Sequence, residues 1–292
     1  MSDIPFRREL AFEYGRVDNL SPLIRRVIAR NPSPFTFHGT GTYIIGHGAV
    51  AVIDPGPNLP EHRQALLDCL AGERVTHILI THTHDDHSGG ADTFQAAVGA
   101  PTYAFAPHPA HEQDQVEAGA DELFVPDHRL AEGDALAGPG WRLEALHTPG
   151  HLSNHLCFAL AEEAALFTGD HVMGWSTSVI VPPNGHMGDY IRSLERLLTR
   201  GERIYYPTHG APIEDPKPFV RALIGHRRMR EANVLACLRD NVVTIEAIVE
   251  RLYHNVPRHL HPAAAQSVRA HLIHLQEQGR IARDDGERFR LL

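Results

Sequence analysis

Thr81-His82-Thr83-His84-Asp85-Asp86-His87 places three imidazoles and two carboxylates in the six positions 82–87. Imidazole nitrogen and carboxylate oxygen are the donors that a borderline divalent metal such as zinc prefers. The residues leading into the cluster, His77-Ile78-Leu79-Ile80-Thr81, predict a buried β-strand. The cluster therefore falls at the carboxyl end of a strand, where α/β sheets place their chemistry. Gly89-Gly90 follow and are expected to let the backbone turn tightly beside a metal. A merely solvated, His-rich turn would not be expected between an apolar strand and a glycine pair.

Working outward, strand and helix patterns alternate over about residues 17–215. Thr42-Tyr43-Ile44-Ile45 and Val50-Ala51-Val52-Ile53 predict a hairpin across Gly46-His47-Gly48. Residues 61–70 carry Ala65, Leu66, Cys69 and Leu70 at helical spacing. Residues 142–146 alternate as a strand. Residues 156–160 and 164–167 bracket a turn at Glu162-Glu163, and residues 189–198 predict a helix with Ile191, Leu194 and Leu197 on one face. Prolines at 212, 216 and 218 mark a boundary, giving a domain over 1–218 and a smaller one over 219–292. In the latter, residues 219–238 predict one long helix. Thr244 is suited to cap a helix bearing Ile245, Ile248 and Val249, and Pro262 opens another that ends at Gly279. Residues 280–283 and 288–291 flank a turn at Asp285-Gly286. Helices followed by a β-hairpin describe a winged-helix-like module.

Further along the chain stand Asp54 at a strand end, His151 in Thr148-Pro149-Gly150-His151, Asp170 in Phe167-Thr168-Gly169-Asp170 and His209 in Pro207-Thr208-His209-Gly210. With the 82–87 cluster, this order resembles the signature of the metallo-β-lactamase superfamily. The segments Asn31-Pro32-Ser33-Pro34-Phe35-Thr36 and Gly39-Thr40-Gly41-Thr42-Tyr43, with the C-terminal tail, resemble the beta-lactamase-like protein 2 group in particular. The resemblance implies an αββα sandwich within the α/β class and a site for two divalent metal ions, zinc first, with Mn2+ or Fe2+ as alternatives. It implies that His82, His84 and His151 hold one ion, that Asp86, His87 and His209 hold the other, and that Asp170 bridges them. Asp86 and Asp170 are then the catalytic carboxylates, serving a hydroxide shared by the two ions. Asp54 is expected behind the ligands, holding a ring N–H or a loop amide. Asp85 is expected to be an exposed side chain without a ligand role. Thr208 stands where the family often has glycine, which is expected to tighten the backbone at His209. His155 and His186 are expected to face the pocket; His47, His62, His77, His108, His111, His128, His226 and His254 are expected at the surface or as satisfied core groups.

Composition bounds the function. The formal net charge is −9. Residues 225–292 hold 11 Arg against 8 acids, so the acidity lies in the larger domain. An acidic body does not steer nucleic acid towards itself. The single lysine, Lys217, follows no glycine-rich phosphate loop, and no serine sits in a nucleophile elbow. No apolar run approaches the ~20 residues needed to cross a bilayer, and Asp3, Glu9 and Glu13 argue against a transit peptide. Three dispersed cysteines, Cys69, Cys157 and Cys237, suggest free thiols in a reducing compartment. These features predict a cytoplasmic hydrolase with no membrane partner, able to form a homodimer. The resemblance points to single-stranded RNA as substrate, through an endoribonuclease activity. The acidic charge points instead to a small molecule, through thioesterase or lactonase activity of the glyoxalase II type. A non-catalytic, metal-stabilised nucleic-acid-binding module is the third reading.

Overall fold

The computed structural model describes residues 4–109, 119–284 and 286–292. Asp3, His111 and Asp285, each given an expectation above, lie outside these. One sheet contains, in spatial order, β1 (Val17–Asn19), β2 (Ile24–Ile28), β3 (Gly41–Ile45), β4 (Ala49–Ile53), β5 (Arg74–Leu79), β6 (Thr102–Ala104) and β7 (His128–Arg129). The chain enters it as an antiparallel meander through β4, then continues with parallel strands from β4 to β7. The parallel steps require crossovers, which carry α1 (Pro60–Cys69), α2 (Asp85–Ser88) and α3 (Ala91–Val98).

The second sheet contains β8 (Ala135–Gly138), β9 (Trp141–His147), β10 (Leu156–Leu160), β11 (Ala165–Gly169) and β12 (Ile204–Pro207), adjacent in that order. Only its last pair, β11 with β12, is parallel, and the crossover between them carries α4 (Met187–Leu197). The turn expected at Glu162-Glu163 is a single 3-10 turn over Ala161–Glu163.

Period-two alternation explains the layering. Tyr43, Ile45 and Ile53 point between the sheets, where they meet Leu143, Phe158, Phe167 and Tyr206. Their neighbours Ile44, Val50 and Val52 point outward to Leu66 of α1 and Phe94 of α3. Leu146, Cys157 and Leu166 point outward from the second sheet to Leu194 of α4. Both faces of each sheet are covered, giving the αββα sandwich.

The tail begins with α5 (Pro216–Arg239), whose Pro216 and Pro218 fall in its first turn, where a missing N–H costs nothing. Its first half supplies Phe219, Val220 and Leu223 to the sandwich core. Its second half supplies Val234, Leu235 and Leu238 to a separate core with α6 (Ile245–Leu252) and α7 (His261–Glu277). The Thr244 hydroxyl caps α6 by accepting from the Ala247 amide. The hairpin β13 (Ile281–Asp284) and β14 (Arg288–Leu291) completes a winged-helix module. Among the described residues, no helix is long and apolar enough to cross a membrane. The three cysteines are free thiols; burial pushes the Cys157 thiol up to about 12.

Candidate metal centre

Three strand ends, one short helix and one loop deliver the titratable groups. His82 and His84 follow β5, and α2 carries Asp86 and His87 from the same turn. His151 lies between β9 and β10, Asp170 follows β11 and His209 follows β12. These seven side chains, distant in sequence, converge. His82 Nε2 and His151 Nε2 approach His84 Nδ1 at 2.8 and 3.1 Å. His209 Nε2 lies 3.1 Å and His87 Nε2 3.4 Å from Asp86 Oδ2. Asp170 stands between the two groups. Its Oδ1 is 3.4 Å from His209 Nε2 and 3.6 Å from His87 Nε2, and its Oδ2 is 3.8 Å from His151 Nε2.

The opposite edge of each ring decides which nitrogen faces inward. The His151 Nδ1–H donates to the Val179 carbonyl at 2.6 Å, and the His209 Nδ1–H donates to the Gly39 carbonyl at 3.1 Å. The His87 Nδ1–H donates to Asp54 Oδ2 at 2.8 Å. A carbonyl or carboxylate only accepts, so each neutral ring is left with its Nε2 lone pair directed at the centre.

Asp54 also accepts from the Thr81 amide at 2.8 Å and the Thr81 hydroxyl at 2.7 Å, so it holds both a ring N–H and a loop amide. Its backbone has φ 50°, an uncommon conformation that aspartate tolerates. Thr208 donates its hydroxyl to the same carboxylate at 3.2 Å. The residue in place of glycine therefore ties His209's loop to the ligand support. Gly90 has φ −88°, an ordinary value. Its glycine is needed for space, since a Cβ would lie 2.8 Å from the Gly56 carbonyl.

The electrostatics divide by group. Burial, with His87 and His84 adjacent, holds His82 well below the ordinary imidazole value. At His87 burial opposes protonation, but Asp86, Asp170 and Asp54 outweigh it and raise the pKa. Burial also opposes ionisation of Asp86 and Asp170, yet the facing imidazoles win and both stay below the usual carboxylate range. His87 Nε2 and Asp170 Oδ1 are buried without a hydrogen-bond partner. Three imidazole edges facing one another, two orphaned polar atoms and a pair of carboxylates, Asp170 buried and Asp86 half-buried, fit divalent cations. His82, His84 and His151, and separately Asp86, His87 and His209, have donor atoms close enough to share an ion. A third grouping, His82, His87 and Asp170, spans the two.

Other histidines lie elsewhere than expected. His155 does not face the pocket: it is fully buried behind the ligands, stacked on His82 with ring centroids 5.1 Å apart. Its Nε2 accepts from the Asp170 amide at 3.2 Å, and its Nδ1–H reaches the Thr148 hydroxyl at 2.9 Å. His186 caps α4 by accepting from the Asp189 amide and reaches Glu277 of α7 at 2.9 Å. Asp85 is exposed, as expected. Thr40, which donates to Asp86 Oδ2 at 3.1 Å, is a supporting residue; its segment carries the family resemblance, but the sequence assigned it no role. His171, next in sequence to Asp170, is buried against Tyr190 with neither ring nitrogen hydrogen-bonded, and burial pushes it down to about 3.

A cleft of about 580 Å³ opens from the centre. His84, Asp86, His151, Asp170 and His209 form its floor. Its walls include Pro34, Phe35, Met173, Val179 and Val181. Leu260, Pro262 and Ala263 of the tail close the far side. No Arg or Lys lines it among the described residues.

The metallo-beta-lactamase superfamily profile matches residues 36–209, which contain all seven side chains, and the beta-lactamase associated winged helix domain matches residues 244–289. The chain belongs to the metallo-β-lactamase superfamily. With its histidine and aspartate cluster it is a metal-dependent hydrolase. It is 30% identical to a beta-lactamase-like protein 2 homolog of Caenorhabditis elegans, over 94% of this chain and 91% of that one. It is 31% identical to an atrochrysone carboxyl ACP thioesterase of Claviceps purpurea (strain 20.1), over 82% of this chain and 75% of that one. A metallo-β-lactamase family protein from Thermus thermophilus superposes with a TM-score of 0.76 at 26% identity, over 94% of this chain and 100% of that chain.

Proposed function

We propose that the protein hydrolyses thioesters of apolar acyl groups at this centre. The observation that carries the reading is the cleft: a largely apolar channel that ends on the histidine and aspartate cluster and that no Arg or Lys lines among the described residues. An acyl chain gains from apolar walls, whereas a phosphodiester strand needs cations along its path. The wing offers few of these. Arg283 and Arg269 both pair with Glu287, and Arg290 pairs with Asp284. The thioesterase name of the Claviceps relative agrees with this reading.

His82, His84 and His151 would hold one cation, Asp86, His87 and His209 the second, and Asp170 would bridge them. The nitrogen and carboxylate set suits zinc and also accepts manganese or iron. Two such cations would supply hydroxide near neutrality by lowering the pKa of water and would polarise a substrate carbonyl. Asp86 and Asp170 stay ionised, so each remains an acceptor through neutral pH. Asp86, fixed by Thr40, orients the attacking oxygen from the cleft floor. Water attacks the carbonyl carbon and the C–S bond breaks; one proton of the water goes to the departing sulfur and the other to solvent, so the products are a thiol, a carboxylate and a released proton.

The test is a side-by-side panel of acyl thioesters, a lactone, a cephalosporin and single-stranded RNA, with Asp170→Asn as control. Thioester turnover that disappears in the control, with RNA intact, is the expected result. RNA cleavage that depends on Asp170, without thioester turnover, would replace this reading by the endoribonuclease one.

A further inference from the structure

The tail residues in the cleft lie far in sequence from every metal-ligating side chain, and the catalytic motifs give them no part. The turn Arg258–Leu260 and the start of α7 place His259, Leu260, Pro262, Ala263 and Gln266 in the cleft wall. Leu260, Ala263 and Gln266 follow a three-residue spacing, so they share one face of this segment. The other face carries Ala264, Val268, Leu272 and Leu275 into the tail's own core. The helix is therefore amphipathic towards two different apolar environments, and the cleft is one of them.

The wall is anchored. Glu277, at the far end of α7, meets His186 at the N-terminus of α4. Gly188 of α4 lies so close to α7 that a Cβ there would sit 2.7 Å from His274 Nδ1. Arg227 of α5, itself buried, donates to the Ser178 carbonyl, just before Val179 and Val181 in the opposite wall. One wall of the cleft is thus the start of α7, held to α4 through the far end of the helix, and the other is tied to α5. A wall fixed at its back and presenting Leu260, Pro262 and Ala263 beside His259 and Gln266 limits the length and bulk of what can extend from the metal centre.

We infer that the winged-helix module acts as the gauge of the acyl group, with Leu260, Ala263 and Gln266 as specificity-determining residues. This rests on the thioesterase reading of the same site. The chain enters over the metal-ligand floor with its carbonyl at Asp86 and Asp170, and its distal carbons run along α7. Short acyl groups end before they reach that wall and long ones lie against it. Filling the wall should therefore discriminate by chain length, while a general defect at the centre would not.

The experiment uses the full-length, metal-loaded protein and N-acetylcysteamine thioesters from acetyl to palmitoyl. Ala263→Phe is the principal variant, with Gln266→Trp as a second in case the first does not fold. For a variant with wild-type metal content, kcat/KM for the longest acyl groups should fall about tenfold or more through KM, with acetyl turnover nearly unchanged. Equal losses at every length, or no loss at any, would overturn the assignment. A wild-type protein that turns over no thioester would end the thioesterase reading instead. The tail's role is then read separately by calorimetric binding of octanoate and acetate. Weaker octanoate binding in Ala263→Phe with unchanged acetate binding supports the gauge; identical octanoate binding in both proteins rejects it.

Discussion

At the floor of the cleft the side chains are titratable, and the His87, His151 and His209 rings are held from behind; at the tail wall Leu260, Pro262 and Ala263 are apolar, beside His259 and Gln266, and are held mainly through their helix. His87, His151 and His209 each have one ring nitrogen tied to an acceptor, and Asp54 gathers His87, Thr81 and Thr208 around a single carboxylate. Leu260 and Ala263 owe their place to the packing of α7 and to contacts such as His186 with Glu277. The difference teaches where substitution should act sharply and where it should act by degree. The floor is a network in which losing one member leaves other buried groups unpaired. The wall is a surface whose shape can change without loss of chemistry.

The largest contrast is expected at the floor itself. Asp170→Asn removes the charge between the two ligand groups and should reduce turnover by roughly a hundredfold or more, above the range typical of residues behind a ligand. Asp85→Asn, at an exposed position a few residues away, should leave turnover nearly unchanged. Steady-state kinetics on the two variants read this directly, and comparable losses would mean that the ligand register in 82–87 is misassigned.

Behind the floor, Asp54→Ala should lower metal affinity or activity by about 10- to 100-fold. The His87 Nδ1–H and the Thr81 amide and hydroxyl would each lose a buried acceptor. Competition against a chelator measures the affinity, and unchanged affinity would show that the ring orientation is fixed by packing alone. At the wall, Gly188→Ala presses on His274 and should cost about 1–3 kcal/mol in stability, as overpacking generally does. It should also change turnover of long acyl thioesters more than that of acetyl ones. Chemical denaturation and the chain-length series separate the two effects.

The smallest effect belongs to the tail's interior. His271 is buried with neither ring nitrogen hydrogen-bonded, and burial pushes it down to about 3, with Arg227, His226, His274 and Arg230 adding to the shift. Its unfolded value is about 6.5, so the folded state binds fewer protons. The contribution to stability is full above that value and is lost as pH falls towards the folded one. His271→Leu should make unfolding of the metal-free protein less acid-sensitive between about pH 6.5 and 3. At neutral pH it should gain about 1 kcal/mol by removing unsatisfied buried polar atoms. Urea titrations across that range test it; an unchanged acid limb would show that His271 is protonated without penalty.

Much of this contrast could be read in the sequence, and its limits have a physical cause. The floor was legible because its chemistry is concentrated: five titratable side chains within 82–87, with Asp170 and His209 next to strand ends. The periodicity marked a mixed α/β chain, the layering followed from the family resemblance, and the tail's helices and hairpin lie where capping and turn residues put them. His155 misled because its nearness to His151 suggested a pocket position, while the β9–β10 turn directs it behind His82. The tail wall was not legible at all. Leu260, Ala263 and Gln266 look like an ordinary helix start, and only the docking of α7 against α4 and α5 turns them towards the cleft.

If the floor holds the metals and the tail only shapes what reaches them, metal content should follow the floor alone. The most direct test is elemental analysis of protein purified without chelator, comparing wild type, Asp170→Asn and Ala263→Phe. The expected result is about two divalent metals per wild-type chain, fewer in Asp170→Asn, and the wild-type content in Ala263→Phe. A wild-type chain that binds less than about one metal after reconstitution, or a folded Ala263→Phe that has lost its metal, would contradict it.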